Sequence, residues 1–177
     1  MKSMKAVCFV FLALFIGSAS AADAPPFGGE KDVKYAKKLW KAMTKAGYAG
    51  EDSRMSRPYT GQHPHGAILD TVEGKIKVKG KTMQIIVKRN YGGEGVSIGN
   101  VANDPAKYLK AFTVMLKRPG YDPETKDWFW AKYKADGSLD TNPKGMMLAG
   151  KVAKGKPKGC IACHSAAPGG DMMFLHD

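Results

Sequence analysis

The chain has 177 residues, 44% of them hydrophobic, which is enough for one core and too little for a multidomain enzyme. It carries 28 Lys and Arg against 16 Asp and Glu, for a net charge of +12, and its 3 Cys exclude a disulfide-built miniprotein. Beyond residues 1–21 no apolar run is long enough to span a bilayer, so an integral helical membrane protein is excluded as well.

Residues 1–21 predict a secretory signal peptide. Lys2 and Lys5 precede an apolar run over residues 6–17, and Ala19-Ser20-Ala21 forms a small-x-small cleavage site. Cleavage would remove Cys8 and leave residues 22–177 as one domain of 156 residues, with two Cys and a net charge of +10. The expected location is the periplasm or another exported compartment.

Residues 22–30 form a Pro/Gly-rich leader. Val33, Ala36, Trp40 and Met43 then fall at steps of three and four among lysines, which predicts an amphipathic helix over residues 32–46. Asp32 is its expected N-cap and Gly47 its expected C-cap. Residues 48–66 lack a period and read as a loop holding His63 and His65. The period then drops to two, predicting strands over residues 67–72, 75–79 and 83–91, with turns at Glu73-Gly74 and Gly80-Lys81. Residues 92–103 read as a glycine-rich loop. Asp104-Pro105 has the form of an N-cap followed by proline at the first helical position, opening a helix to about residue 110. Two more strands are expected over residues 112–117 and 128–134, and residues 140–159, rich in Lys, Gly and Pro, should wrap the surface. The expected class is α+β: mainly antiparallel β-sheet, with the N-terminal amphipathic helix and a C-terminal segment of special composition.

That segment contains Cys160-Ile161-Ala162-Cys163-His164, a C-x-x-C-H sequence of the kind that attaches c-type haem. Two thiols at this spacing can form thioethers to the two vinyl groups of one porphyrin. The following imidazole can then ligate the iron from one face. Cys160, Cys163 and His164 are therefore the expected haem-binding residues, with His164 as the metal ligand. Haem c is attached outside the cytoplasm in bacteria, so motif and signal peptide support each other. The competing readings are a surface disulfide between Cys160 and Cys163, or half of a zinc site that needs two further ligands.

A second axial ligand would mark an electron carrier, and an open position a reactive or gas-binding iron. The candidates for a sixth ligand are His63, His65, Met146, Met147, Met172 and Met173. Sheet sequence leading into a C-terminal motif is unlike the small helical carriers, which favours an open site.

Several further stretches carry a family resemblance: Pro64-His65-Gly66; Ile85-Ile86-Val87-Lys88-Arg89-Asn90-Tyr91; Gly120-Tyr121-Asp122-Pro123; Asp127-Trp128-Phe129-Trp130-Ala131-Lys132-Tyr133; and Asp171-Met172-Met173-Phe174. Together with the haem motif they resemble the cytochrome P-460 family, which includes the cytochrome c′-β proteins. The resemblance implies an antiparallel β fold with a few helices, a homodimer and a five-coordinate haem. It implies oxidation of hydroxylamine with nitric oxide chemistry at the haem, or nitric oxide binding without turnover. It also implies that Lys88, which matches a lysine bonded to the porphyrin rim in cytochrome P-460, is both a haem-binding and a catalytic residue. Here Lys88 is followed by Arg89-Asn90 rather than an acidic residue. Glu94 is the candidate for a distal acid, and Lys132 is the rival lysine.

In strand alternation Lys88 shares a face with Gln84 and Ile86, opposite Met83, Ile85, Val87 and Arg89. Trp128 and Trp130 share one face of their strand, Phe129 and Tyr133 the other. A neutral amine is needed for a porphyrin bond, and burial against haem would favour one. The basic charge suits an acidic redox partner or an anionic membrane surface, or serves as a solvated face that keeps the protein in solution. No recognition motif for nucleic acid accompanies it.

Overall fold

The computed structural model describes residues 25–51 and 53–174. The expected signal peptide, with Cys8, lies outside them. The helical stripe forms α1 (Glu30–Lys45), which buries Ala36, Leu39 and Met43. Its lysines stay in solvent. The N-cap is Gly29 rather than Asp32. Asp32 lies in the first turn, where a carboxylate suits the helix N-terminus, and it accepts a hydrogen bond from Tyr121 Oη at 3.0 Å. Gly47 follows the C-cap at φ 70°, in the left-handed region that favours glycine.

The strands are β1 (Tyr59–Thr60), β2 (Ile68–Val78), β3 (Lys81–Tyr91), β4 (Leu109–Lys117), β5 (Trp128–Lys134) and β6 (Ala149–Gly150). They form one antiparallel sheet in the order β1-β2-β3-β4-β5-β6, each strand beside its neighbour in sequence. Two short helices, α2 (Ile98–Asn103) and α3 (Pro105–Tyr108), separate β3 from β4, and α4 (Cys160–His164) holds the C-x-x-C-H sequence. The α+β class, with a mainly antiparallel sheet and an N-terminal helix, is as expected. None of the described helices is long and apolar enough to cross a membrane.

Local expectations differ at four places. The two strands expected on either side of Glu73-Gly74 are one strand, β2, and the turn to β3 is Lys79-Gly80, with φ of 51° and 83°. Gly74 answers to space instead of turning. A Cβ there would lie 2.2 Å from Tyr48 Oη, and its absence lets that hydroxyl donate to the Lys75 carbonyl at 3.3 Å. Gly74→Ala is expected to cost about 1–3 kcal/mol through overpacking, checked by urea unfolding, with Tyr48→Phe on the same chain recovering part of the loss. The loop over residues 92–103 contains α2, capped by Ser97 Oγ accepting from Asn100 N at 3.1 Å. Asp104 does cap α3, but that helix ends at Tyr108 and β4 begins at once. The expected loops also yield the two-residue strands β1 and β6.

The sheet has two unlike faces. Ile85, Val87, Phe112, Leu116, Phe129 and Tyr133 pack beneath α1, and Tyr133 Oη ties the helix down by donating to the Ala36 carbonyl at 2.8 Å. The opposite face carries Ile86, Met115, Trp128 and Trp130, packed with Phe27 and Val152. The two tryptophans thus share a face, as strand alternation requires. Arg89 points away from the second face and pairs in the interior with Asp70 at 3.3 Å, both nearly inaccessible. The residue after Lys88 therefore contributes nothing to that face.

Candidate functional site

The second face is one wall of a cavity of about 490 Å³, within the range of sites for small molecules and cofactors. Ile86 and Lys88 of β3, Thr113 and Met115 of β4, and Trp130 and Lys132 of β5 line it. They are alternate residues in register: Ile86 lies opposite Met115, Lys88 opposite Thr113, and Met115 opposite Trp130. Cys160, Cys163 and His164 of α4 form the facing wall, and Pro64 and His65 close one side. The expected haem residues and Lys88 thus meet in one cavity, although Lys88 and His164 are far apart in sequence.

His164 is buried. Its Nδ1–H donates to the Met172 carbonyl at 2.7 Å, which leaves Nε2 as a neutral donor atom. Trp130 and Phe174 lie edge-on to the imidazole, with ring centroids at 4.8 and 5.3 Å. Burial lowers the His164 pKa to about 4; the bond to Met172 opposes this, and the nearby Lys88 and His65 add to it. An unfolded histidine takes up its proton near 6.5. The unfolded chain therefore binds a proton that the folded chain resists. The contribution to stability is complete above that value and is lost as pH falls through it toward about 4. For the haem-free chain the loss should reach about 3 kcal/mol. Thermal unfolding between neutral pH and about pH 4 measures it, and His164→Asn should flatten the dependence.

Lys88 is half-buried, and its Nζ donates to the Phe174 carbonyl at 3.0 Å. Burial lowers its pKa against the opposing charge of Glu73, the direction that favours a free amine. The rival Lys132 also lines the cavity, but its Nζ is paired with Asp140 at 3.0 Å.

His65 is fixed by Asn90 in a way that sequence alone did not reveal. Asn90 Nδ2 donates to the Lys88 and Ala111 carbonyls at 3.0 and 3.3 Å. Its Oδ1 therefore faces the Gly66 N–H at 3.2 Å and His65 Nδ1 at 3.1 Å. Nδ1 must carry the proton, and the Nε2 lone pair of His65 is left free. Burial also lowers the His65 pKa, Asn90 opposing and Lys88 and Lys132 adding. The ring lies 6.3 Å from that of His164, centroid to centroid. Of the other candidate ligands, His63 and Met147 are exposed, and neither these nor Met146, Met172 and Met173 line the cavity. Glu94 is exposed and does not line it either.

The wall chemistry fits a haem c. The rings and aliphatic chains suit a porphyrin face, the two thiols are free rather than bridged, and His164 offers one bare nitrogen. The buried indole Nε1 of Trp130 has no hydrogen-bond partner among the described residues, so this wall is polar-incomplete as it stands. Among the described residues no group of three or more His, Cys, Asp or Glu gathers to hold a metal ion, so the further ligands that zinc would need are not assembled there.

Comparison with known sequences agrees with this chemistry. The sequence-family model for Cytochrome P460 matches residues 45–175, which span β1 to α4 and every cavity residue named above except Phe27. Neither a curated protein nor a solved structure matches the chain. With most of its length matched, and with a haem cofactor implied by that match, the chain belongs to the cytochrome P460 family.

Proposed function

We propose that this protein is an exported mono-haem c cytochrome that oxidises hydroxylamine at a five-coordinate iron, with nitric oxide among the nitrogen species it handles. The observation that carries the reading is the meeting of Cys160, Cys163, His164 and Lys88 around one apolar cavity. Family membership and the C-x-x-C-H sequence support it further. The haem, when bound, would supply an iron that takes electrons from a small nitrogen substrate and passes them to an acceptor.

The chain's own residues have separate tasks. Cys160 and Cys163 would hold the porphyrin through their sulfurs, and His164 would bind the iron through Nε2. Ile86, Met115 and Trp130 make the sheet wall of the cavity apolar and would limit water beside the haem. Lys88 is the residue for a bond to the porphyrin rim, its amine brought toward neutrality by burial. His65 Nε2 is a hydrogen-bond acceptor available to an N–H or O–H of the substrate. A basic chain of this kind suits an acidic electron acceptor, and a homodimer is the expected assembly.

One observation favours a second reading, a six-coordinate electron carrier with His65 as the other axial ligand. The two imidazoles lie 6.3 Å apart, centroid to centroid, in one cavity, and each engages Nδ1 with the protein so that its Nε2 could serve as a ligand.

The optical spectrum of the mature reduced protein, made in a host that attaches haem c, separates the readings. A main band far to the red of ordinary haem c is expected for a Lys88-modified porphyrin, and Lys88→Ala should abolish the shift and lower the mass linkage of the haem peptide. Turnover of hydroxylamine with an electron acceptor should accompany it. A high-spin spectrum of ordinary position, with nitric oxide binding and no turnover, would replace catalysis by capture. Sharp low-spin bands in both oxidation states would establish the carrier.

A further inference from the structure

The four residues Asp171–Phe174, after the haem motif's loop, are tied to the sheet by several contacts. The Asp171 carboxylate accepts from Lys117 Nζ at 2.6 Å, and the Asp171 carbonyl accepts from the buried indole Trp128 Nε1 at 2.9 Å. Lys117 and Trp128 face each other across the β4–β5 ladder, and the ammonium lies 4.6 Å from the indole ring centroid. Two groups thus clamp Asp171 to the end of the sheet. The next residue, Met172, is held at φ 60°, a left-handed conformation uncommon outside glycine. Such a conformation persists where surrounding contacts over-determine it. Its consequence is local: the Met172 carbonyl is the acceptor for His164 Nδ1–H. Two residues on, the Phe174 carbonyl receives Lys88 Nζ, and its ring lies against His164.

We infer that Asp171–Phe174 is a positioning strap, locked by Lys117 and Trp128, that sets how strongly His164 donates to the iron. The inference rests on the reading of His164 as the iron ligand. A hydrogen bond from the distant ring nitrogen raises the basicity of the ligating one, and so favours the ferric state. The strength of that bond depends on where the Met172 carbonyl is held. Lys117 and Trp128 do not line the cavity, so their hydrogen bonds reach the site through the strap. They are positioning residues, and Asp171 transmits their effect.

The test uses the haem-loaded protein with Lys117→Met, Lys117→Arg and Trp128→Phe. The readouts are the iron–histidine stretching frequency of the ferrous state and the midpoint potential. A loosened strap should lower the frequency and raise the midpoint in Lys117→Met and Trp128→Phe, while Lys117→Arg stays close to wild type. The sign is diagnostic, because deleting a cation near a haem would by itself lower the midpoint. An unchanged frequency in both variants, or a midpoint that falls in Lys117→Met, overturns the inference. If Lys117→Met does not fold, Lys117→Gln removes the same ammonium while keeping a polar side chain, and the same two readouts decide. Failure of the underlying reading looks different: wild type would then carry no thioether-bound haem at all, which removes both proposals together.

Discussion

Replacing both thiols, Cys160→Ser and Cys163→Ser, is expected to abolish covalently attached haem while the sheet and α1 remain intact. The reasons lie in burial. Cys163 is exposed and Cys160 only partly covered, and neither belongs to the core between α1 and the sheet. Serine keeps nearly the same volume and removes the sulfur nucleophile that a thioether needs. A bond from Lys88 would not rescue attachment, because the porphyrin must already be seated for its rim to reach that amine. Mass spectrometry of the denatured chain should show the loss of one haem, and far-ultraviolet circular dichroism should barely change. Each single variant should retain one thioether and a reduced yield.

The second large effect is expected far from the thiols. Asp70 is fully buried, accepting from Tyr91 Oη at 2.5 Å and from Arg89 Nη1 at 3.3 Å, with the Ser56 N–H at 3.3 Å. Among the described residues Arg89 Nε and Nη2 are buried without a hydrogen-bond partner, so Asp70 is the charge that makes this guanidinium tolerable. Asp70→Ala strands a cation in the interior and should cost about 3–5 kcal/mol. Tyr91→Phe removes one hydrogen bond and should cost about 1 kcal/mol. Urea unfolding of the two variants beside wild type measures both. The ordering of the two losses is the sharper test, since a mere packing defect would not single out the carboxylate.

Much of this molecule could be read along the chain. The spacing of Cys160, Cys163 and His164 pointed to haem chemistry, and the alternation around Lys88 and the two tryptophans put them on shared faces. What escaped were pairings between distant residues. Asn90 holds His65 across 25 positions, and Phe174 holds Lys88 across 86, and neither partner carries a local signature. Gly74 misled because glycine serves close approach as well as turns. The helix α2 was hidden for a related reason: its Gly99 and two asparagines have weak helical preference, and only the Ser97 cap announces it. His65 was visible as a histidine near the site, but its tautomer follows from an amide whose orientation only the fold reveals.

The unbroken strand order has a consequence for how the protein is made. Every ladder joins neighbours in sequence, so the sheet pays little loop-closure entropy and can assemble as the chain lengthens. The wall bearing Ile86, Lys88, Met115 and Trp130 is complete once Lys134 is in place. The thiols and imidazole of α4 follow later in the sequence. Synthesis from the N-terminus therefore presents a finished apolar shelf to a still-open C-terminal arm. The hairpins are the expected first part of the fold to form, and the arm bearing Cys160, Cys163 and His164 the expected last part to pack against them.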